Sequence, residues 1–154
     1  MTVERCATST LNPMPPHMPD IQFLRLADVQ RPLLEKFYRA HRSPMRAKGE
    51  AQMWVARTPE IVAALCLTPV AGEHWLTGLF VAPAERGRGV GSGLVAAALT
   101  SVVGNVWLFC EPDLVGLYLR MGFVEVRDLP QVLAARLARY RQTKPLISLV
   151  RRLV

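Results

Sequence analysis

The sequence predicts one α/β (α+β) domain, a mixed, mostly antiparallel twisted sheet of about six to seven strands with helices on both faces. Two observations predict it. Apolar runs of strand length alternate with helical stretches in the order βα, then an antiparallel meander of three strands, then αβ repeated to the end. A cluster of glycines, Gly87, Gly89, Gly91 and Gly93, separates the most continuous apolar run from the next helix.

The elements follow in order. Residues 1–19 carry Pro13, Pro15, Pro16 and Pro19 with little apolar periodicity, which predicts an extended arm ahead of a single domain over 20–154. Ile21–Leu26 alternates as a first strand does, and Asp28 is placed to cap a helix reaching His41. On that helix Leu33, Leu34, Phe37 and Tyr38 share one face. Pro44 and Gly49 predict a loop or broken helix over Arg42–Glu50. Gln52–Ala56 and Ile61–Leu67 read as a hairpin turning at Arg57-Thr58-Pro59-Glu60. A turn at Ala71-Gly72-Glu73 then leads into a strand over Trp75–Val81. Leu94–Val103 is the helix after the glycines, and Asn105–Cys110 is the next buried strand. Asp113–Met121 is a short helix, capped by Asp113 and closed by Gly122 in a left-handed conformation. Phe123–Val126 is a strand, Leu129–Arg141 an amphipathic helix, and Pro145–Val150 a closing strand.

Composition narrows the function classes. No apolar run approaches the roughly 20 residues of a membrane span, and Met1–Thr10 lacks the apolar centre of a secretory signal. Cys6, Cys66 and Cys110 show no metal-ligand spacing, and the last two sit in apolar runs as buried thiols do, so a reducing, cytoplasmic setting without a metal is expected. The net charge of +7 attracts anions, yet it is spread along the chain without a block of like charges. Arg136, Arg139, Arg141, Arg151 and Arg152 come without interleaved aromatics or a recognition motif, so they read as solvated faces and no nucleic-acid partner is expected.

The informative stretch runs from Val81 to Gly91. A helix N-terminus leaves backbone N–H groups unpaired and carries about half a positive charge. Glycines ahead of it remove the Cβ atoms that hold an anion away, and Arg86 and Arg88 add guanidinium groups suited to phosphate oxygens. The stretch therefore predicts a cradle for a phosphate or diphosphate. A P-loop is excluded, because no Gly-Lys-Ser/Thr triplet is present. Gly91-Ser92-Gly93-Leu94-Val95-Ala96 matches a dinucleotide fingerprint in form, with Glu111 about twenty residues on. That fingerprint begins at a strand end, however, whereas Val81 stands ten positions before Gly91.

Arg86-Gly87-Arg88-Gly89-Val90-Gly91, with Val81-Ala82-Pro83 before it, resembles the acyl-CoA-binding loop of the Gcn5-related N-acetyltransferases. Leu117-Tyr118-Leu119-Arg120-Met121-Gly122-Phe123 resembles the same family's pattern of tyrosine, three residues and Gly-Phe, and the element order follows its fold over about Ile21 to Val150. The resemblance implies a GNAT-like sheet, acetyl-CoA or another acyl-CoA as co-substrate, and direct acyl transfer to a primary amine of a small molecule or peptide. It implies that the amides of Arg86, Gly87, Arg88, Gly89, Val90 and Gly91, with Ser92 in the following helix, hold the diphosphate of CoA. The backbone of Leu79, Phe80 and Val81 would lie along the pantetheine arm where two parallel strands splay apart. Tyr118 matches the tyrosine that protonates the departing thiolate, a fitting role for a phenol with an ordinary pKa of about 10. Read without that motif, Tyr118 is a core aromatic whose hydroxyl is bonded locally. Where many members carry an asparagine, this chain reads Cys110-Glu111-Pro112-Asp113, and that contact is not carried over.

Something must take a proton from the attacking amine. The strand position that aligns with the family's acidic residue is Trp75. Glu73, two residues earlier on the same face, and Glu111, closing the neighbouring strand, are the candidate bases, with turn roles as the plainer reading for Glu73 and His74. The missing base also admits a non-catalytic acyl-CoA-binding or sensing domain. Acceptor choice falls to Arg39–Gln52 and the late helix, where Arg39, Arg42, Arg46 and Lys48 point to an anionic group on the acceptor. No membrane partner is expected, and a homodimer is left open.

Overall fold

A computed structural model describes residues 20–153. The expected arm over 1–19, with Cys6 and His17, lies outside the described residues. In chain order the elements are β1 (Gln22–Leu26), α1 (Arg31–Ala40), β2 (Gln52–Arg57), β3 (Ile61–Val70), β4 (Glu73–Val81), α2 (Val90–Leu99), β5 (Gly104–Cys110), α3 (Val115–Arg120), β6 (Val124–Glu125), α4 (Gln131–Tyr140) and β7 (Ile147–Leu153). The strands make one seven-stranded sheet in the order β1-β2-β3-β4-β5-β7-β6. Neighbours are antiparallel except β4 and β5, which run parallel. The mixed sheet expected from the element order is therefore the observed one. Among the described residues no helix is long and apolar enough to cross a membrane.

Alternation along the strands sends side chains to two cores. On one face Leu65, Leu67, Leu76, Val106, Leu108 and Leu149 pack beneath α2 and α3. On the other, Met53, Val55, Ala64 and Cys66 pack with Leu34, Phe37 and Tyr38 of α1, while Trp107 and Val150 pack with Leu133 of α4. On β4, Trp75 and Phe80 both face this second layer, so α1 and α4 lie on the same side of the sheet.

Several sequence expectations are corrected. Leu33 is exposed, because α1 turns only Leu34, Phe37 and Tyr38 inward. Asp28 does not cap a long helix. It begins a short 3-10 turn over Asp28–Gln30, and the Gln30 side chain accepts the Ala27 N–H at 2.9 Å instead. The glycine-rich helix spans Val90–Leu99 rather than Leu94–Val103. Gly91 and Gly93 are helical because α2 lies close on the sheet: a Cβ on Gly93 would stand 2.6 Å from the Phe23 ring. The helix ends where the Thr100 and Ser101 hydroxyls donate back to Ala97 O and Ala98 O, at 2.6 and 2.7 Å. Asp113 likewise lies within a 3-10 turn over Pro112–Leu114 and makes no capping bond. Gly122 does close α3 with φ 95°.

Candidate functional site

The parallel pair β4 and β5 touches only at its start, with His74 opposite Val106 and Trp75 opposite Trp107. Beyond Trp75 the two strands diverge and leave backbone groups without a ladder partner. Ala82 N–H donates to Val62 O of β3 at 2.7 Å, so by strand alternation the N–H and C=O of Val81 point away from β3, into the opening. The Val81 carbonyl accepts a hydrogen bond there from Arg86 Nε at 2.8 Å.

A β-bulge sets this geometry. On β3, Ala64 pairs with Phe80 and Cys66 with Thr77, so Leu65 alone faces Gly78 and Leu79. Gly78 takes φ 68°, a left-handed value that suits glycine. Its carbonyl accepts a 2.7 Å hydrogen bond from the Tyr38 hydroxyl across the layer from α1. Burial pushes the Tyr38 phenol far above its ordinary value, with Cys66 adding to the effect, so it remains a donor. Neither Tyr38 nor Gly78 stood out in the sequence. The usable signal was an isolated glycine inside an otherwise apolar strand, which often marks a bulge.

The opening leads into a cavity of about 620 Å³ lined by Leu79, Phe80 and Val81 on one wall and by Leu117, Tyr118 and Met121 on another. Arg86, Gly87, Gly89, Val90, Gly91 and Ser92 close its end. Most of the expected loop and strand residues therefore come together around one space. Arg88 does not line it. Its guanidinium is half exposed and pairs with Glu85 at 3.6 Å. Arg86 lies in the wall, its charged end 5.1 Å from the Phe80 ring centre.

Gly87 and Gly89 adopt φ 79° and 80°, and a Cβ on either would meet nothing within 4 Å. They turn a bare backbone toward open space. Gly89 is the N-cap of α2 and supplies no side-chain cap, so the first-turn amides of α2 keep their capacity for an outside acceptor. Partial positive charge from the helix adds to them.

Tyr118 is buried on α3, its ring edge-on to Phe123 at 5.9 Å. Among the described residues its hydroxyl has no hydrogen-bond partner, unlike that of a locally bonded core tyrosine. Desolvation, with Cys110 adding to it, pushes its pKa up to about 12. The side chain stays protonated at any ordinary pH. Leu114, absent from the sequence reading, and Leu117 and Met121, which it quoted in the motif without a role, share its cavity through the spacing of one helical face.

The two carboxylates considered as bases lie elsewhere. Glu73 opens β4, accepting Trp107 Nε1–H at 2.8 Å and Asn105 N–H at 3.4 Å, which ties the starts of β4 and β5 together. Glu111 is exposed at the start of the 3-10 turn before α3. Neither lines the cavity. Trp75, at the aligned strand position, packs against Phe109 at 5.7 Å beneath the Arg136 guanidinium at 4.4 Å.

Comparison with known proteins bears on the family and the fold. The family described as Acetyltransferase (GNAT) domain matches residues 49–125. The chain is 37% identical over 105 residues to the peptidyl-lysine N-acetyltransferase YjaB of Salmonella typhimurium, covering 64% of this chain and 70% of that protein. Escherichia coli ElaA superposes with a TM-score of 0.62 at 19% identity, over 87% of this chain and 99% of that one. Rv2747 of Mycobacterium tuberculosis, whose crystal structure holds CoA, superposes with a TM-score of 0.66 at 15% identity, over 88% of this chain and 100% of the other. At these identities the two structures bear on the fold alone.

Proposed function

The chain belongs to the GNAT acetyltransferase family and is an N-acetyltransferase, and on that premise we propose that it acetylates the ε-amine of a lysine side chain in a peptide, using acetyl-CoA. The observation that carries the proposal is the cavity between the end of β4 and α3, with the uncapped α2 terminus at one end and the Tyr118 phenol in its wall. The relative named a peptidyl-lysine N-acetyltransferase supports the acceptor class.

The residues fit acetyl-CoA. Bare backbone at Gly87 and Gly89, open space where their Cβ atoms would stand, and the Arg86 guanidinium suit a diphosphate. Within the proposal the amides from Gly87 to Ser92 bind the diphosphate oxygens, and the open edge of β4 over Leu79–Val81 pairs with the amides of the pantetheine arm, the Val81 carbonyl exchanging its Arg86 Nε–H donor for one of them. The co-substrate supplies an activated acyl thioester. The chain then holds that group beside the bulge, where the Leu79 amide on the open side polarises the carbonyl. Tyr118, kept protonated by burial, gives its proton to the departing sulfur as the amine nitrogen takes the acyl group. The amine's surplus proton leaves through water, because Glu73 is engaged with Trp107 and Glu111 stands outside the cavity. Buried thiols at Cys66 and Cys110 suit a reducing compartment, and we place the enzyme in the cytoplasm.

Incubation with acetyl-CoA and a lysine-containing peptide, followed by mass spectrometry, tests the proposal. Acetyl-lysine and free CoA are expected in equal amounts. Acetyl-CoA binding without transfer to any lysine peptide would overturn the acceptor class.

A further inference from the structure

A second cavity, of about 480 Å³, opens at the end of α1 and is lined by Arg39, Arg42 and Arg46 with Glu35, Ser43, Pro44 and Met45. Three guanidinium groups thus face one carboxylate. Among the described residues none of the three makes an ion pair, the one pair found being Arg88 with Glu85. A cleft lined mainly by one sign of charge focuses the field and raises the local concentration of anions.

The cavity adjoins the chemistry. Met45 in its wall extends until its Cε lies 3.3 Å from where a Cβ on Gly78 would stand, and Gly78 is the bulge at which β4 turns its edge to the opening. Across the opening, on the same side of the sheet, Arg136 of α4 lies over Trp75, the last β4 residue paired with β5. Positive charge therefore stands on both flanks of the diverging strands. A small anionic amine engages one flank. A peptide whose lysine reaches the bulge has backbone running to both sides of it, and carboxylates before and after the lysine meet the three arginines on one flank and Arg136 on the other.

We infer that the Arg39–Arg42–Arg46 cavity and Arg136 select an acidic peptide, a lysine with aspartate or glutamate on either side, as the acceptor. The inference rests on the lysine-acetylation reading above and assigns its specificity. Bidentate pairing of arginine with carboxylate supplies orientation, and the field speeds encounter.

The test compares three fluorescein-labelled peptides carrying one central lysine flanked by aspartate, by serine or by arginine. At low salt, kcat/KM for the aspartate peptide is expected to exceed that for the serine peptide by about tenfold or more, with the arginine peptide poorest and the preference shrinking as salt rises. In the double variant Arg39→Gln/Arg46→Gln, both exposed positions, the aspartate-to-serine ratio falls toward unity, chiefly through KM. Fluorescence anisotropy of the aspartate peptide, read without acetyl-CoA, tests selection independently of transfer. Binding lost in the variant supports the inference even if no peptide is acetylated, a result that would overturn the lysine-acetylation reading alone. Equal turnover and equal binding of the three peptides would overturn the inference while leaving that reading intact. Turnover of small anionic amines such as taurine, with none of the aspartate peptide, would also overturn it.

Discussion

Replacing Gly78 with alanine tests how the bulge is held. Two costs add. An alanine at φ 68° carries about 1–2 kcal/mol of left-handed strain. Its Cβ would also stand 2.7 Å from the Tyr38 hydroxyl, closer than two such atoms approach, so the phenol must move and the hydrogen bond to Gly78 O is lost. A part-buried carbonyl and hydroxyl left without each other cost about 1–3 kcal/mol. Gly78→Ala should therefore destabilise the chain by about 2–5 kcal/mol. Tyr38→Phe removes the bond without the clash and should cost about 1–2 kcal/mol. In the Tyr38→Phe background the alanine keeps mainly its backbone strain, so the two changes should couple by about 1–3 kcal/mol. Urea unfolding of the four proteins, followed by tryptophan fluorescence, measures the coupling, and acetyl-CoA titration should show weaker binding in both single variants. Costs that add to within about 0.5 kcal/mol would refute the claim that Tyr38 fixes the bulge.

Four further outcomes follow from the same geometry. Tyr118→Phe should lower kcat by about a hundredfold or more while leaving the acetyl-CoA Kd within about twofold, as read by single-turnover kinetics and calorimetry. Glu73→Ala strands Trp107 Nε1 and should cost about 1–3 kcal/mol of stability by urea melts; a hundredfold fall in kcat would instead return Glu73 to the chemistry. Gly89→Ala should lose about 1–2 kcal/mol through its φ of 80° and weaken acetyl-CoA binding by placing a methyl group in the open cradle, whereas an unchanged Kd would clear that space of ligand. Raising the pH should destabilise the fold. The native Tyr118 phenol, pushed up to about 12 from 10.0, holds its proton where the unfolded chain releases it, so its contribution is complete below pH 10 and fades as pH climbs toward 12. The Cys66 and Cys110 thiols, raised to about 11 from 9.0, act in the same direction one step lower. Urea midpoints that stay constant from pH 8 to pH 11 would contradict these shifts.

Much of the fold was legible because local chemistry and tertiary structure agree in it. The turn at Gly72 and the closure at Gly122 were marked by glycines that suit the observed φ of 76° and 95°, and Pro59 marked the hairpin turn after Arg57. The loop before α2 was legible for the same reason. Misreadings arose where a distant partner decided. Glycine at 91 and 93 signals a break locally, yet α2 includes both because the Phe23 ring of β1 leaves no room for a side chain at Gly93. Asp28 and Asp113 have the chemistry of helix caps, but proline and 3-10 turns beside them shift the helix starts past their reach. The Tyr38–Gly78 bond joins residues forty positions apart, and no period or motif encodes it. The hydrogen bond that holds Glu73 to Trp107 joins neighbouring strands, and nearness along β4 does not encode it.

The central claim is that the bare amides leading into α2 grip a diphosphate and so bring a thioester to the bulge. Calorimetry of CoA against pantetheine, which keeps the arm and lacks the diphosphate, tests it most directly. Measurable heat is expected with CoA, and binding of pantetheine weaker by about a hundredfold or more. Equal affinity for the two, or no association with CoA by the folded protein, would contradict it.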